Sequence, residues 1–175
     1  MTDGELNPSA VEFIGDKLKD TPNEMFVDVG DGFGLVTIQI AFMYGIKTLG
    51  IELNAERFNN NGWTALRKMM STEQSSKIKR KEANAIHEDF TNATVIYWNC
   101  VVFSENNKNA LKTKFVQEAP NLRLLITLLP ICTKRCKLSN CTNIWCQHFQ
   151  LESIKKVNVT WTKTQQELHF YEIKY

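Results

Sequence analysis

Three glycines at alternate positions, Gly30, Gly32 and Gly34, follow the run Phe26-Val27-Asp28-Val29 and precede a helix-like segment, Leu35 to Tyr44. Glycine lets a backbone turn sharply and approach a ligand with no Cβ in the way. The amides that open the next helix then point at whatever is bound. The spacing is G-x-G-x-G, and the third glycine of a dinucleotide fingerprint would fall where the chain has Leu35. Asp28 and Asp31 put carboxylates where a pyrophosphate would lie, which Coulomb repulsion disfavours. The loop therefore predicts a ligand that carries an amine or sulfonium cation and no phosphate.

S-adenosylmethionine meets that description. In an open α/β sheet a ligand lies beyond the C-terminal ends of the strands. Asp28, Glu52, Asp89 and Asn99 fall at such ends here. Glu52 follows the glycine loop by roughly twenty residues, where a carboxylate accepts from ribose hydroxyls. Asp89 is placed to accept from an adenine amino group, with Phe90 against the ring. The glycine-loop amides are expected to hold the carboxylate of the methionine moiety, and Asp28 to orient its amine. Singly, each of these residues has a plainer reading as a turn, cap or core residue; together, after this loop, they favour a nucleoside.

The elements that must position them follow from patterning. Asn7-Pro8 opens a helix over 8–19 with Val11, Ile14 and Leu18 on one face. Strands are predicted at Met25–Val29, Thr48–Leu53, Ala83–His87, Thr94–Trp98 and Leu122–Leu129, the last apolar as a buried central strand should be. Helices are predicted over 35–44, ended by Gly45, over 54–70, with Phe58, Leu66, Met69 and Met70 buried, and over 108–118. Ser71–Lys81 reads as a loop or solvated helix face. Val157–Thr162 and Glu167–Lys174 read as a closing antiparallel pair. Alternating strands and helices make an α/β sheet, and the final hairpin is the mark of a methyltransferase sheet.

Composition sets the bounds. The 175 residues suit one domain with a proper core. The hydrophobic content of 43% is that of an ordinary globular chain, and a net charge of +2 is too small to argue for nucleic-acid binding by itself. No apolar stretch reaches membrane length. The N-terminal residues lack a signal-peptide pattern, so the expectation is an intracellular protein whose five cysteines are reduced.

These motifs resemble the disruptor-of-telomeric-silencing (Dot-one) histone lysine methyltransferases, over nearly the whole chain. The resemblance rests on Gly4-Glu5 with the following helix, Phe26-Val27-Asp28-Val29-Gly30-x-Gly32-x-Gly34, Gly50-Ile51-Glu52 and Asp89-Phe90. It continues through Val95-Ile96-Tyr97-Trp98-Asn99 with Phe103, and Val159-Thr160-Trp161-Thr162. It implies a class I, Rossmann-like S-adenosylmethionine-dependent fold with a seven-stranded, mostly parallel sheet and a C-terminal antiparallel hairpin. It implies one domain over 1–175, with an N-terminal helical segment (1–24), a cofactor-binding core (25–130), a Cys-containing connection (131–156) and the hairpin (157–175). It implies a nuclear enzyme that methylates a lysine in the globular core of histone H3. Glu5, Asp28, Gly30, Gly32, Gly34, Glu52, Asp89, Phe90 and Asn99 would hold the cofactor. Asn99 would stand beside the methyl group, and Trp98, Phe103 and Trp161 would line the lysine channel, as would Tyr97 where strand alternation allows.

The sequence departs from that family's pattern at Asp3, Leu6, Leu35, Cys100, Leu168 and His169. Those departures motivate a second reading, a catalytically weak or inactive homologue that acts as a binding module. A third is a methyltransferase with a different protein or small-molecule substrate. The run Lys77-Ile78-Lys79-Arg80-Lys81 suits either phosphate contacts with nucleosomal DNA or, more commonly, a solvated loop. Cys132, Cys136, Cys141 and Cys146 are spaced more widely than zinc knuckles. Were 138–147 helical, Cys141 and Cys146 would point apart, so the expectation is ordinary thiols and no metal.

Overall fold

The computed structural model describes residues 4–59, 61–132 and 141–174. Seven strands form one sheet: β1 (Met25–Val29), β2 (Lys47–Glu52), β3 (Ile78–Glu82), β4 (Val95–Trp98), β5 (Leu124–Thr127), β6 (Phe149–Val157) and β7 (Gln166–Ile173). Their order is β3-β2-β1-β4-β5-β7-β6. The first five are parallel to one another, and β7 pairs antiparallel with both β5 and β6. The order reverses at β1, so the crevice beyond β1 and β4 is the topological switch point where open α/β sheets bind ligands.

Strand alternation sorts the core into two layers. On one face, Phe26 of β1, Val95 and Tyr97 of β4 and Leu124 and Ile126 of β5 pack on α1 (Pro8–Leu18) and α2 (Leu35–Tyr44). On the other, Val27, Val29, Ile96, Trp98 and Leu125 pack on α6 (Glu105–Glu118) through Leu111 and Phe115. The helices α1 and α2 approach closely at Gly15, where a Cβ would lie 2.0 Å from the Tyr44 ring. Although α2 is apolar nearly all round, it buries only Val36, Thr37, Ile38, Ile40 and Ala41, and Leu35, Phe42 and Met43 remain exposed.

Several expectations need correction. The predicted helix over 54–70 is two shorter ones, α3 (Ala55–Phe58) and α4 (Asn61–Met69), and Leu66 and Met69 are exposed rather than buried. The third strand is Ile78–Glu82, not 83–87; it follows α5 (Thr72–Ser76), and Ala85–His87 is a turn of 3-10 helix. As an edge strand, β3 exposes Lys79 and Lys81, while Ile78 is buried and the Arg80 side chain turns inward. Charge on an edge blunts further pairing and removes the alternation that marks a strand. The closing hairpin begins earlier than expected, at Phe149. Residues 158–162 lie outside it and make a single bridge, Val159 to Leu6. The short helix α7 (Ile144–His148) precedes β6. No helix among the described residues is long and apolar enough to cross a membrane.

Candidate cofactor and substrate site

The glycine loop joins β1 to α2, and it is held from below. Gly30, Gly32 and Gly34 all take positive φ, at 87°, 56° and 86°, a region that L side chains avoid. The Asp31 side chain turns under the loop rather than toward a ligand. It accepts from the Thr37 hydroxyl and from Arg80 Nε, and both side chains of the ion pair are almost fully buried. Arg80 also donates to the Gly32 carbonyl at 2.7 Å and the Phe58 carbonyl at 3.2 Å. Two glycines make room for this pair. A Cβ on Gly50 would lie 2.3 Å from Asp31 Cγ, and one on Gly34 would lie 2.8 Å from Arg80 Nε. Arg80 is thus a brace for the loop and not a DNA contact. Of the other basic residues in that run, Lys77 pairs with Glu73 and Lys81 with Glu88.

Above the loop lies a cavity of about 570 Å³, in the range that holds a small-molecule cofactor. Gly30, Gly32, Glu5, Glu52 and Asn99 line it, as expected, together with Phe103 and Trp161. The loop amides are not free donors. Gly30 and Asp31 N–H donate to the Ile51 carbonyl, and Gly34 N–H to the Asp31 carbonyl. Gly32 N–H donates to Glu52 Oε2 at 2.8 Å and Phe33 N–H to Glu5 Oε1 at 3.4 Å. The expectation that these amides hold a ligand carboxylate is therefore corrected. Instead they aim two carboxylates into the cavity. Glu52 Oε1 accepts from Asn54 N–H at 2.7 Å, so both oxygens are oriented by backbone. Each oxygen keeps a second lone pair with which to accept a ribose hydroxyl.

Asp28 sits behind the loop, fully buried, and its Oδ1 has no hydrogen-bond partner among the described residues. Burial pushes its carboxyl well above the usual range, and the nearby charges of Asp31, Glu5 and Glu52 add to this, while Arg80 opposes it. Burial likewise raises Asp31, held down in turn by Arg80 and Thr37. Clustered carboxylates, with one oxygen of Asp28 unpartnered, favour a cation beside them. Orphaned Asp28, the oriented Glu52 and a loop that leaves no space for Cβ atoms all fit S-adenosylmethionine.

Several expected contacts do not line the cavity, Asp28 behind the loop among them. Phe90 is 1% exposed and packs edge-on against Phe115. Asp89 is exposed and caps its own turn, accepting from Thr91 N–H and Oγ1. Trp98 points to the α6 face, wedged between Phe103 and Phe115; with Asn99 turned to the cavity, its neighbour in the chain has to face elsewhere. Tyr97 faces the other core layer. Gly34 also lies outside the lining, with Arg80 beneath it. In the places assigned to Asp89 and Phe90, the cavity wall is Asn84, Ala85 and Ile86, with Leu53 and Val102 adding apolar surface. Only the corrected position of β3 reveals them.

The far end of the cavity is built from distant segments. Glu5 N–H donates to Thr160 Oγ1 at 3.1 Å, and Thr160 N–H to the Glu5 carbonyl at 3.0 Å. Asn99 Nδ2 donates to the Gly4 carbonyl at 3.3 Å. Trp161 lies so close to Gly4 that a Cβ there would meet its ring at 2.8 Å, and Phe103 lies against Gly30. Asn99, Phe103 and Trp161 therefore gather where the N-terminal segment crosses residues 158–161.

Fold and site together define a class I S-adenosylmethionine-dependent methyltransferase. The solved structures agree on the fold. The chain matches an RNA methyltransferase from Salinibacter ruber in complex with S-adenosyl-L-homocysteine at 12% identity and TM-score 0.67, covering 97% of this chain and 93% of that one. It matches the methyltransferase domain of bacterial CtHen1-C at 10% identity and TM-score 0.72, covering 98% and 100%. A magnesium protoporphyrin IX methyltransferase from Synechocystis with bound SAM matches at 12% identity and TM-score 0.67, covering 96% and 79%. No curated protein matches the sequence.

The model of the family described as "Histone methylation protein DOT1" matches residues 1–173, and the chain belongs to that family. It is a histone methyltransferase that uses S-adenosylmethionine.

Proposed function

We propose that this chain transfers a methyl group to a lysine in the globular core of histone H3, in the nucleus, with Asn99 at the point of transfer. The observation that carries this reading is the polarity of the cavity. Glu5 and Glu52, carboxylates that suit a cationic nucleoside, line it, and Asn99, Phe103 and Trp161 join them where the N-terminal segment crosses residues 158–161.

When bound, S-adenosylmethionine supplies a methyl group on a sulfonium, an electrophile that needs no further activation. Glu52 would orient the ribose, and Asp28 would balance the ammonium of the methionine moiety. Leu53, Ile86 and Val102 offer apolar surface to the base. At the other end the protein has to deliver an uncharged amine. A lysine with its ordinary pKa costs about 4–5 kcal/mol to neutralise at pH 7. The apolar faces of Phe103 and Trp161 lower that cost by disfavouring the ammonium form. Asn99, tethered to the Gly4 carbonyl, offers its amide oxygen to orient the amine, and alignment does the rest. Contact with nucleosomal DNA falls to Lys79, with Lys77 and Lys81 at its flanks.

Calorimetry with S-adenosylmethionine, followed by tritium transfer on nucleosomes and on free histones, tests this. The expected result is binding that Glu52→Ala abolishes, and label on H3 within nucleosomes. Binding without transfer would favour the binding-module reading; label on another substrate would favour a different methyl acceptor.

A further inference from the structure

We propose that Cys132, Cys141 and Cys146 form a zinc site that braces the segment after β5. Their Sγ atoms all lie within 4.8 Å of one another. Zinc bonds thiolate sulfur at about 2.3 Å in a tetrahedron, which sets ligand sulfurs roughly 3.8 Å apart. Closure by about an ångström at most brings the three thiols to that geometry. They come from three places in the chain, Cys132 after β5, Cys141 before α7 and Cys146 within it. Because α7 starts only at Ile144, the expectation that a shared helix points Cys141 and Cys146 apart does not apply. Cys136 lies outside the described residues, and the site stands on the other three.

The surroundings suit a thiolate-rich metal. All three residues are half-buried, so an ion can enter and a fourth ligand can reach it. Three thiolates on a dication leave net negative charge, and a lysine is packed against the residues beside two of them. Lys112 Nζ donates to the carbonyl of Ile131, next to Cys132, at 3.2 Å, and lies 4.7 Å from the ring centre of Trp145, next to Cys146. Soft sulfur ligands with no carboxylate select zinc over magnesium or calcium.

The site would hold the approach to Asn99. Ile131 N–H donates to the Tyr171 hydroxyl at 3.2 Å, and the Leu128 and Leu129 backbone lies against the Cys100 thiol, one residue from Asn99. A metal that ties residue 132 to residues 141 and 146 cross-links the chain between them and removes entropy from the unfolded state. This inference does not depend on the methylation reading.

The test is metal content of the full chain purified under reducing conditions with zinc supplied. The expected result is one zinc per chain, lost in Cys141→Ser/Cys146→Ser and kept in Cys100→Ser. Cobalt replacing the zinc is expected to show an intense thiolate-to-metal charge-transfer band, and a chelator to lower the Tm of the wild-type chain by several degrees. The wild-type cobalt and chelator measurements hold even if the double variant fails to fold. Absence of zinc and of the cobalt band in folded protein would overturn the proposal, as would zinc that survives the double substitution. So would a disulfide between any two of the three thiols in the reduced preparation.

Discussion

The two ends of the cavity are built in opposite ways. At the cofactor end, the backbone N–H groups of residues 30–34 all have acceptors, on Ile51, Glu52, Glu5 and Asp31, and a buried ion pair locks the loop from beneath. At the substrate end, segments more than ninety positions apart meet along one crossing, Asn99 with Gly4, Glu5 with Thr160, Leu6 with Val159 and Asn7 with Asn158. The first end is rigid before any ligand arrives. The second exists only when the N-terminal segment lies on residues 158–161. Substitutions at the first end should therefore register in stability, and those at the second in turnover.

The largest expected effect follows from removing the brace. Arg80→Ala leaves Asp31 buried without its partner, and breaking a buried pair this way costs about 3–5 kcal/mol. Urea denaturation should report that loss, and a variant as stable as wild type would mean the loop is not locked from below. At the opposite end, Trp161→Ala should shift the denaturation midpoint little while lowering methyl transfer on nucleosomes roughly 10–100-fold, the penalty of a misplaced acceptor. Calorimetry should find cofactor affinity close to wild type. A matching loss of affinity would erase the distinction between the two ends.

The smallest effect concerns Asp28. Its folded carboxyl keeps its proton to higher pH than an unfolded aspartate, whose pKa is about 3.9. Between those two values the folded chain binds more protons, so stability falls as pH rises. Asp28→Asn removes that dependence. The ligand-free variant should melt about 2–4 °C above wild type at neutral pH, equivalent to ~1 kcal/mol, and level with it near pH 4. Scanning fluorimetry across pH checks this, and a constant gap at all pH values would count against it. In the proposed binding mode, in which Asp28 balances the ammonium, the same variant should bind S-adenosylmethionine more weakly.

Much of the architecture is local in origin and can be read from the chain. Residues 25–29 are an apolar run broken only by Asp28, three glycines follow, and an apolar segment of helix length ends at Gly45; β1, the loop and α2 appear as expected. Asn99, Phe103 and Trp161 were also legible, through the resemblance that ordered their motifs. The edge strand β3 was not, because a strand that packs little apolar surface carries no period to detect. That one displacement moved Arg80 from the surface to the underside of the loop and replaced Asp89 and Phe90 with Asn84, Ala85 and Ile86 on the cavity wall.

What the amino-acid order determined by itself was the alternating α/β pattern, the turn chemistry of the glycine loop and the presence of carboxylates at strand ends. All of these follow from steric limits and hydrophobic periods within a few residues. Only the tertiary structure decided which carboxylate is braced, which keeps an unpartnered oxygen and which lines the cavity. Those outcomes depend on burial and on partners such as Arg80, forty-nine residues from Asp31, and no local rule ties such residues together.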